Sequence, residues 1–200
     1  MAIVNGYAAV QDIRDQLSDE GSKLSDTLLE RSISATSRAV DKHCGRRFWQ
    51  DATASARLYN AVCYDSLDVH DISTQTGLIV ETDAHNTGDW VVVDATTYHL
   101  EPLNADADMN AYAWWTVVSD SGAGFPVSRT PLVRVTAQWG WSEIPNEVTE
   151  ATILKAIALF KRKDAPFGIA GFNDFGPVRL SRSDPDVTNL LRPYKKPVIA

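Results

Sequence analysis

The chain has 200 residues, two cysteines and a net charge of −7. That length suits one domain, or one domain carrying an insertion, and is enough to bury a core. Several classes are excluded: no apolar run approaches the roughly 20 residues of a membrane span, the first residues lack a basic-then-apolar leader pattern, and two cysteines are too few for a disulfide framework. Synthesis in a reducing cytoplasm is the expectation.

"NGYAAVQDIRDQL" predicts a first short helix, with Val10, Ile13, Arg14 and Leu17 at helical spacing. "SDEGSK" breaks it. The run "LSDTLLERSISATSRAVDKHCG" predicts a longer helix, in which Ser25 is placed to cap and Leu24 and Leu29 have the spacing of a hydrophobic staple. Leu29, Ile33, Val40 and Cys44 form its apolar stripe, acids open it, bases close it, and Gly45 takes the left-handed position after it.

From Phe48 to Trp139 the pattern changes to short runs rich in β-branched and aromatic residues: "SARLYNAV", "LDVHDI", "GLIVETD", "DWVVVD", "TYHLEPL", "AWWTVVSD" and "LVRVTAQW". Gly, Asn, Asp or Pro separate them, which predicts antiparallel strands in a meander. "SEIPNEVTEATILKAIALFKRK" then predicts a helix that is apolar around most of its circumference. Such a helix is buried on several sides, either in the core or partly under a neighbouring subunit. Pro166, three glycines and Pro177 exclude long regular elements after it, and "DPDVTNLL" predicts one more short helix capped by Asp184 with Pro185 first.

Charge falls in blocks along this layout. Residues 58–128 hold eleven acids and no Lys or Arg, whereas residues 161–200 hold eight bases against four acids. Blocks of this kind speak of partners and solubility, not of fold. An acidic middle is a poor surface for wrapping nucleic acid, while a basic tail suits phosphate or an acidic protein.

No constellation carries catalytic or metal chemistry. The spacing Gly168-x2-Gly171-x4-Gly176 matches no phosphate-loop pattern and follows a helix rather than opening one. Asp106, Asp108 and Asn110 start a calcium-loop spacing, but Ala111 and Val117 stand where that loop needs Gly and Glu. His43, His70, His85 and His99 are scattered and lack the second ligand pair of a zinc site. No nucleophile elbow is present, and Cys44 reads as a small core residue. The expectation is therefore no catalytic residue, no metal and no cofactor.

Aromatic residues point instead to interfaces. Phe167, Phe172 and Phe175 stand among glycines, and large apolar side chains must cover themselves on this domain or on a partner. Adjacent Trp114 and Trp115 point to opposite faces of a strand, so one enters the core and one lies at the surface, as an interface anchor or, less favoured, a sugar-stacking platform.

Three stretches then line up in order: "SRAVDKHCGRRFW", "VTAQWGWSEIPNEVTEATILKAIALFKRKDAPFG" and "DPDVTNLLRPY". Together they resemble the head-to-tail connector (adaptor) proteins of long-tailed bacteriophages, which dock under the portal. The resemblance covers both helical ends well and residues 50–130 loosely. It implies a structural virion protein and not an enzyme. It implies an α+β fold: a helical core, two N-terminal helices plus a long third helix, an antiparallel β-meander inserted between helices two and three, and an extended C-terminal arm. The layout is residues 1–47 as the N-terminal helical part, 48–141 as the inserted acidic β region, 142–164 as the core helix and 165–200 as a flexible assembly arm.

The partners so implied are the portal protein, neighbouring copies in a ring (commonly a dodecamer), a downstream neck or tail-completion protein, and genomic DNA that passes without sequence-specific binding. The location is the virion neck, assembled in the bacterial host cytoplasm, with no membrane. Portal docking is carried onto Leu190, Leu191, Arg192, Pro193 and Tyr194. Subunit or partner contact is assigned to Trp139, Trp141, Arg162, Phe167, Phe172, Phe175 and Arg179. The acidic surface is expected to face the channel, where it would repel phosphate and let DNA slide. Two readings compete: a β-rich carbohydrate- or cell-wall-binding module using Trp114 or Trp115, and a hydrolase drawing two carboxylates from the acidic middle.

Overall fold

Apolar residues at helical spacing build the first elements, α1 (Val10–Leu17) and α2 (Asp26–Cys44). The computed structural model describes residues 3–17, 25–105, 113–120, 122, 124–161, 169–173, 176–179 and 184–196, with the backbone alone for 169–173 and 176–179. Leu29, Ile33, Val40 and Cys44 of α2 are all buried, as their spacing requires. The helix stops at Gly45, whose φ of 68° suits glycine; its N–H and that of Arg46 both donate to Asp41 O, at 2.9 and 3.3 Å. Ser25 precedes the helix in an extended conformation, but its side chain makes no capping bond. Leu24 of the expected staple lies outside the described residues.

The strands follow: β1 (Ser55–Tyr59), β2 (Ser66–Thr82), β3 (Val91–Val92), β4 (Tyr98–Glu101), β5 (Trp114–Ser119) and β6 (Val133–Trp139). After them come α3 (Asn146–Lys161), a two-stranded pair β7 (Ile169–Asn173) and β8 (Gly176–Arg179), and α4 (Pro185–Leu191), which runs into a 3-10 turn at Arg192–Tyr194. The fold is α+β, with the antiparallel sheet between α2 and α3 and a helix near the C-terminus. Contacts divide the chain into a helical unit, Met1–Arg46 with Ile144–Ala200, and a β unit, Arg47–Glu143.

In the helical unit, Ile13 of α1, Leu29 and Ile33 of α2, and Ile153 and Ala156 of α3 share one core. Thr152 is fully buried on α3, and its hydroxyl donates to Val148 O at 2.8 Å, so its own polar group is satisfied. The circumference of α3 is not uniformly covered: Leu159 stays exposed near its end. Asp184 caps α4 by accepting from the Asp186 N–H at 3.0 Å, with Pro185 at the first position, as the sequence predicts.

The sheet runs β1-β6-β2-β5-β4, with β3 on the far end of β2. Strand β2 is longer than its sequence suggests. "LDVHDI" and "GLIVETD" read as two strands because "STQTG" looks like a turn, yet the structure runs all 17 residues as one. Register shifts within it let the first half pair with β5 and the second with β6. Local irregularity bends the strand without ending it, and threonine suits extended backbone. One core lines the inner face, from Leu67, Val69 and Ile72 to Val117, Val133, Val135 and Trp139. "DWVVVD" yields only the two paired residues of β3, both exposed. The Gly- and Pro-rich stretch after α3 contains the short β7–β8 pair and no long regular element, with Phe172 opposite Pro177; proline is tolerated in strands at an edge.

On the outer face of the β unit, Arg134 Nε and Nη2 each donate to Glu81 at 2.6 Å, while the guanidinium lies 4.5 Å from the Trp90 ring. Hydrogen bonds from Arg134 hold the Glu81 carboxyl below its ordinary range, against a smaller opposing push from burial. A group lowered in this way stabilises the fold above the unfolded carboxylate range and loses that contribution as pH falls through its folded value. Arg134→Leu is therefore expected to lower the thermal midpoint at neutral pH, with the gap to wild type closing on acidification. Melts of both proteins from about pH 7 to about pH 3 check it; a gap independent of pH contradicts the assignment.

Candidate assembly surfaces

The tryptophans expected at an interface build a corner of the β unit instead. Trp139 ends β6 with its Nε1 donating to Ser55 O at 2.8 Å, and the Arg57 guanidinium lies 4.4 Å over its ring. Trp141 is buried against Phe48, ring centroids 5.1 Å apart, and its Nε1 donates to Asp71 Oδ2 at 3.0 Å. Between them the chain turns at Gly140, φ 107°, whose N–H donates to Asp71 O at 2.8 Å. The same corner ties in residue 51, whose N–H reaches Trp139 O at 2.7 Å. Trp139 and Trp141 thus face the core of the β unit. Trp114 is buried and Trp115 half-buried, the expected division of that pair.

The C-terminal residues carried over from the resemblance divide in the same way. Val187, Leu191 and Tyr194 are buried in the helical unit, where α4 lies against α3. Tyr194 Oη donates to Glu147 Oε2 at 2.9 Å, and the Lys196 N–H to Cys44 O at 2.8 Å. Arg192 and Pro193 are exposed and Leu190 half-buried, so these three are the ones open to a partner. Phe172 and Arg179 sit in β7 and β8. Arg162, Phe167 and Phe175 lie outside the described residues, as do Asp106, Asp108 and Asn110.

Charged groups gather at two places that no single stretch of sequence displays. In the sheet, Leu67, Val117 and Leu100 lie opposite one another across β2, β5 and β4 and are buried. The adjacent row, on the outer face, is Asp68–Thr116–Glu101, and the row beyond it is Ser66–Val118–His99. His99 Nδ1 lies 2.7 Å from Asp120 Oδ1, and its Nε2 3.8 Å from Glu101 Oε1. Thr116 Oγ1 donates to Asp68 Oδ1 at 2.9 Å. Three carboxylates and one imidazole share this face, which is net negative in either state of the imidazole.

In the helical unit, cations converge on the end of α2 from three elements. Arg46 follows the helix, Lys155 comes from α3 and Lys195 follows the 3-10 turn; burial pushes the Cys44 thiol up to about 11, with Asp41 adding to the rise and the three cations opposing it. The same crowding lowers His43, first through burial and then through Lys195 and Lys155. Part of this charge answers the helix dipole, and Asp41, paired with Arg38 at 2.9 Å, stands among the same cations. With its thiol held protonated, Cys44 is a packing residue and not a nucleophile.

Among the described residues, no group of His, Cys, Asp and Glu is arranged to hold a metal, and no helix is long and apolar enough to cross a membrane. No protein-family model matches the chain, and no curated protein matches it. Solved structures do match. A chain of the neck of an empty GTA particle computed with C6 symmetry has a TM-score of 0.56 at 20% identity, covering 100% of this chain and 95% of that one. A chain of the virion of a native gene transfer agent (GTA) particle has a TM-score of 0.55 at 18% identity, with the same coverage. Over its whole length, the chain shares its fold with components of gene transfer agent particles, one of them in the neck.

Proposed function

We propose that the chain is a structural protein of a virion neck, a head-to-tail adaptor that forms a ring beneath the portal and extends the DNA channel to the tail. The observation that carries this reading is the full-length fold likeness to a chain of a particle neck. The order of "CGRRFW", "WGWSEIP" and "DPDVTNLLRPY" along the chain points the same way. The C6 symmetry of that neck favours a closed ring of copies here. The partners are the portal, neighbouring copies and a downstream neck or tail-completion protein. DNA passes without sequence-specific binding, because residues 58–128 offer no Lys or Arg to its phosphates. The portal is met by the C-terminal segment, with Arg192, Pro193 and Leu190 outermost.

Mixing the purified chain with portal is expected to give ring complexes in negative-stain images, and the ring mass gives the copy number. Absence of a ring complex at every ratio overturns the reading.

A further inference from the structure

We propose that the open edge of β1 takes an extended segment of a partner protein as an added strand, and that Arg57 selects a segment with a carboxylate opposite it. Such a contact needs only the β unit and no ring.

β1 is one edge of the sheet. Among the described residues it pairs with β6 alone, in unbroken register from Ser55 opposite Ala137 to Tyr59 opposite Val133. An edge leaves alternate N–H and C=O groups unpaired, and proteins guard such edges with proline, bulges or charge. The other edge, β4, ends in the charged Glu101 followed by Pro102. β1, "SARLY", has neither proline nor bulge. Its outward Leu58, in the row of Arg134 and Glu81, is 55% exposed. Its one charge, Arg57, stands in the inner row with the buried Val135 and Val80.

An inward charge on an edge turns neutral strands away, because pairing would bury it unanswered. Within the chain Arg57 is poorly answered. Arg134 shows the satisfied form: over Trp90, two of its nitrogens donate to Glu81 at 2.6 Å. Arg57 lies over Trp139 in the same manner, 4.4 Å from the ring, but a single nitrogen reaches Asp51 Oδ2, at 3.4 Å, and Arg47 Nη2 donates to that same oxygen. Burial pushes the neighbouring Tyr59 hydroxyl up, so it stays neutral. The Arg57 fork therefore keeps donors for a planar carboxylate. A strand that brings one opposite Arg57 satisfies the charge that repels other strands, and its adjacent residue covers Leu58. Opposite charges facing across a strand pair favour that register. Phosphate fits the same fork, but the eleven acids of residues 58–128, in the same unit, oppose a polyanion.

The probe is a soluble peptide of alternating valine and threonine with one central threonine replaced by glutamate, titrated onto the full chain beside a version carrying glutamine there. The glutamate peptide is expected to bind roughly five-fold or more tightly than the glutamine peptide, with the difference shrinking in added salt. It should slow amide hydrogen exchange over residues 55–59 and not over 98–101. Two further versions carry N-methyl groups on alternate amides, one set each. One should bind and the other fail, since a strand turns only every second N–H to a given neighbour. Arg57→Gln should remove the preference for glutamate and leave the glutamine peptide bound as before.

Strand addition at β1 is overturned by equal binding of the glutamate and glutamine peptides, by equal binding of the two N-methylated forms, or by protection at β4 or nowhere in place of β1. It is equally overturned if a short oligonucleotide protects the same amides and displaces the peptide, which would give the fork to phosphate. Ring formation with portal is untouched by any of these results, so the neck reading stands or falls by its own test.

Discussion

Gly140→Ala is expected to destabilise the β unit severely. A Cβ at this position would lie 1.9 Å from Trp49 O and 2.8 Å from Trp49 C, with Gln50 Cα at 3.0 Å. All three are backbone atoms, so no side-chain rotation relieves the clash. The φ of 107° is also one that L residues rarely adopt. Moving the chain would break the Gly140 N–H bond to Asp71 O and displace Trp139 and Trp141, which are among the largest fully buried side chains. The cost should exceed about 4 kcal/mol, a large part of the roughly 5–15 kcal/mol that holds a domain together. Gly77→Ala is the control. Gly77 has φ 75° and nothing within 4 Å of an added Cβ, so only the left-handed backbone penalty of about 1–2 kcal/mol applies. Urea unfolding of both variants checks the contrast. Equal destabilisation would show that backbone conformation, and not the approach of Trp49, decides the corner.

This corner shows what a sequence gives up readily and what it withholds. "WGW" after an alternating run marks the end of a strand, and the alternation of Val133, Val135, Ala137 and Trp139 gives their common buried face directly. Period-two and helical patterns are local, which is why α2, α3, α4 and β6 were legible. What those patterns cannot say is which surface covers an apolar residue. Trp139 and Trp141 read as interface anchors because large aromatics are enriched there; that Asp71, 70 residues upstream, receives the Trp141 indole is a long-range fact. The length of β2 was hidden for a different reason. A Thr- and Gly-containing stretch resembles a turn locally, and only pairing with two different partners shows that the strand continues through it. The acidic block was visible as composition, but that two of its acids, Asp68 and Glu101, share one row needed the register of β2, β5 and β4. The basic cluster had no local signal at all, since Arg46, Lys155 and Lys195 come from three separate elements.

The second large effect concerns the C-terminal segment, where packing and docking can be separated one residue at a time. Leu191 and Tyr194 are buried, whereas Arg192 and Pro193 between them are exposed. Leu191→Ala removes a fully buried side chain from the contact of α4 with the rest of the helical unit. It is expected to cost about 2–5 kcal/mol. Tyr194→Phe keeps the ring in place and removes only the hydrogen bond to Glu147, at a cost of about 1 kcal/mol. Arg192→Ala should leave stability within about 0.5 kcal/mol of wild type, as expected for an exposed position. If the segment meets the portal, the ranking reverses in a binding assay. Arg192→Ala then weakens portal association by roughly ten-fold or more, while Tyr194→Phe, with its outer surface unchanged, binds as wild type does. Thermal melts and portal binding measured on the same three variants give both rankings. An Arg192→Ala protein that is stable and still binds portal at full strength would remove the exposed side of this segment from the docking surface.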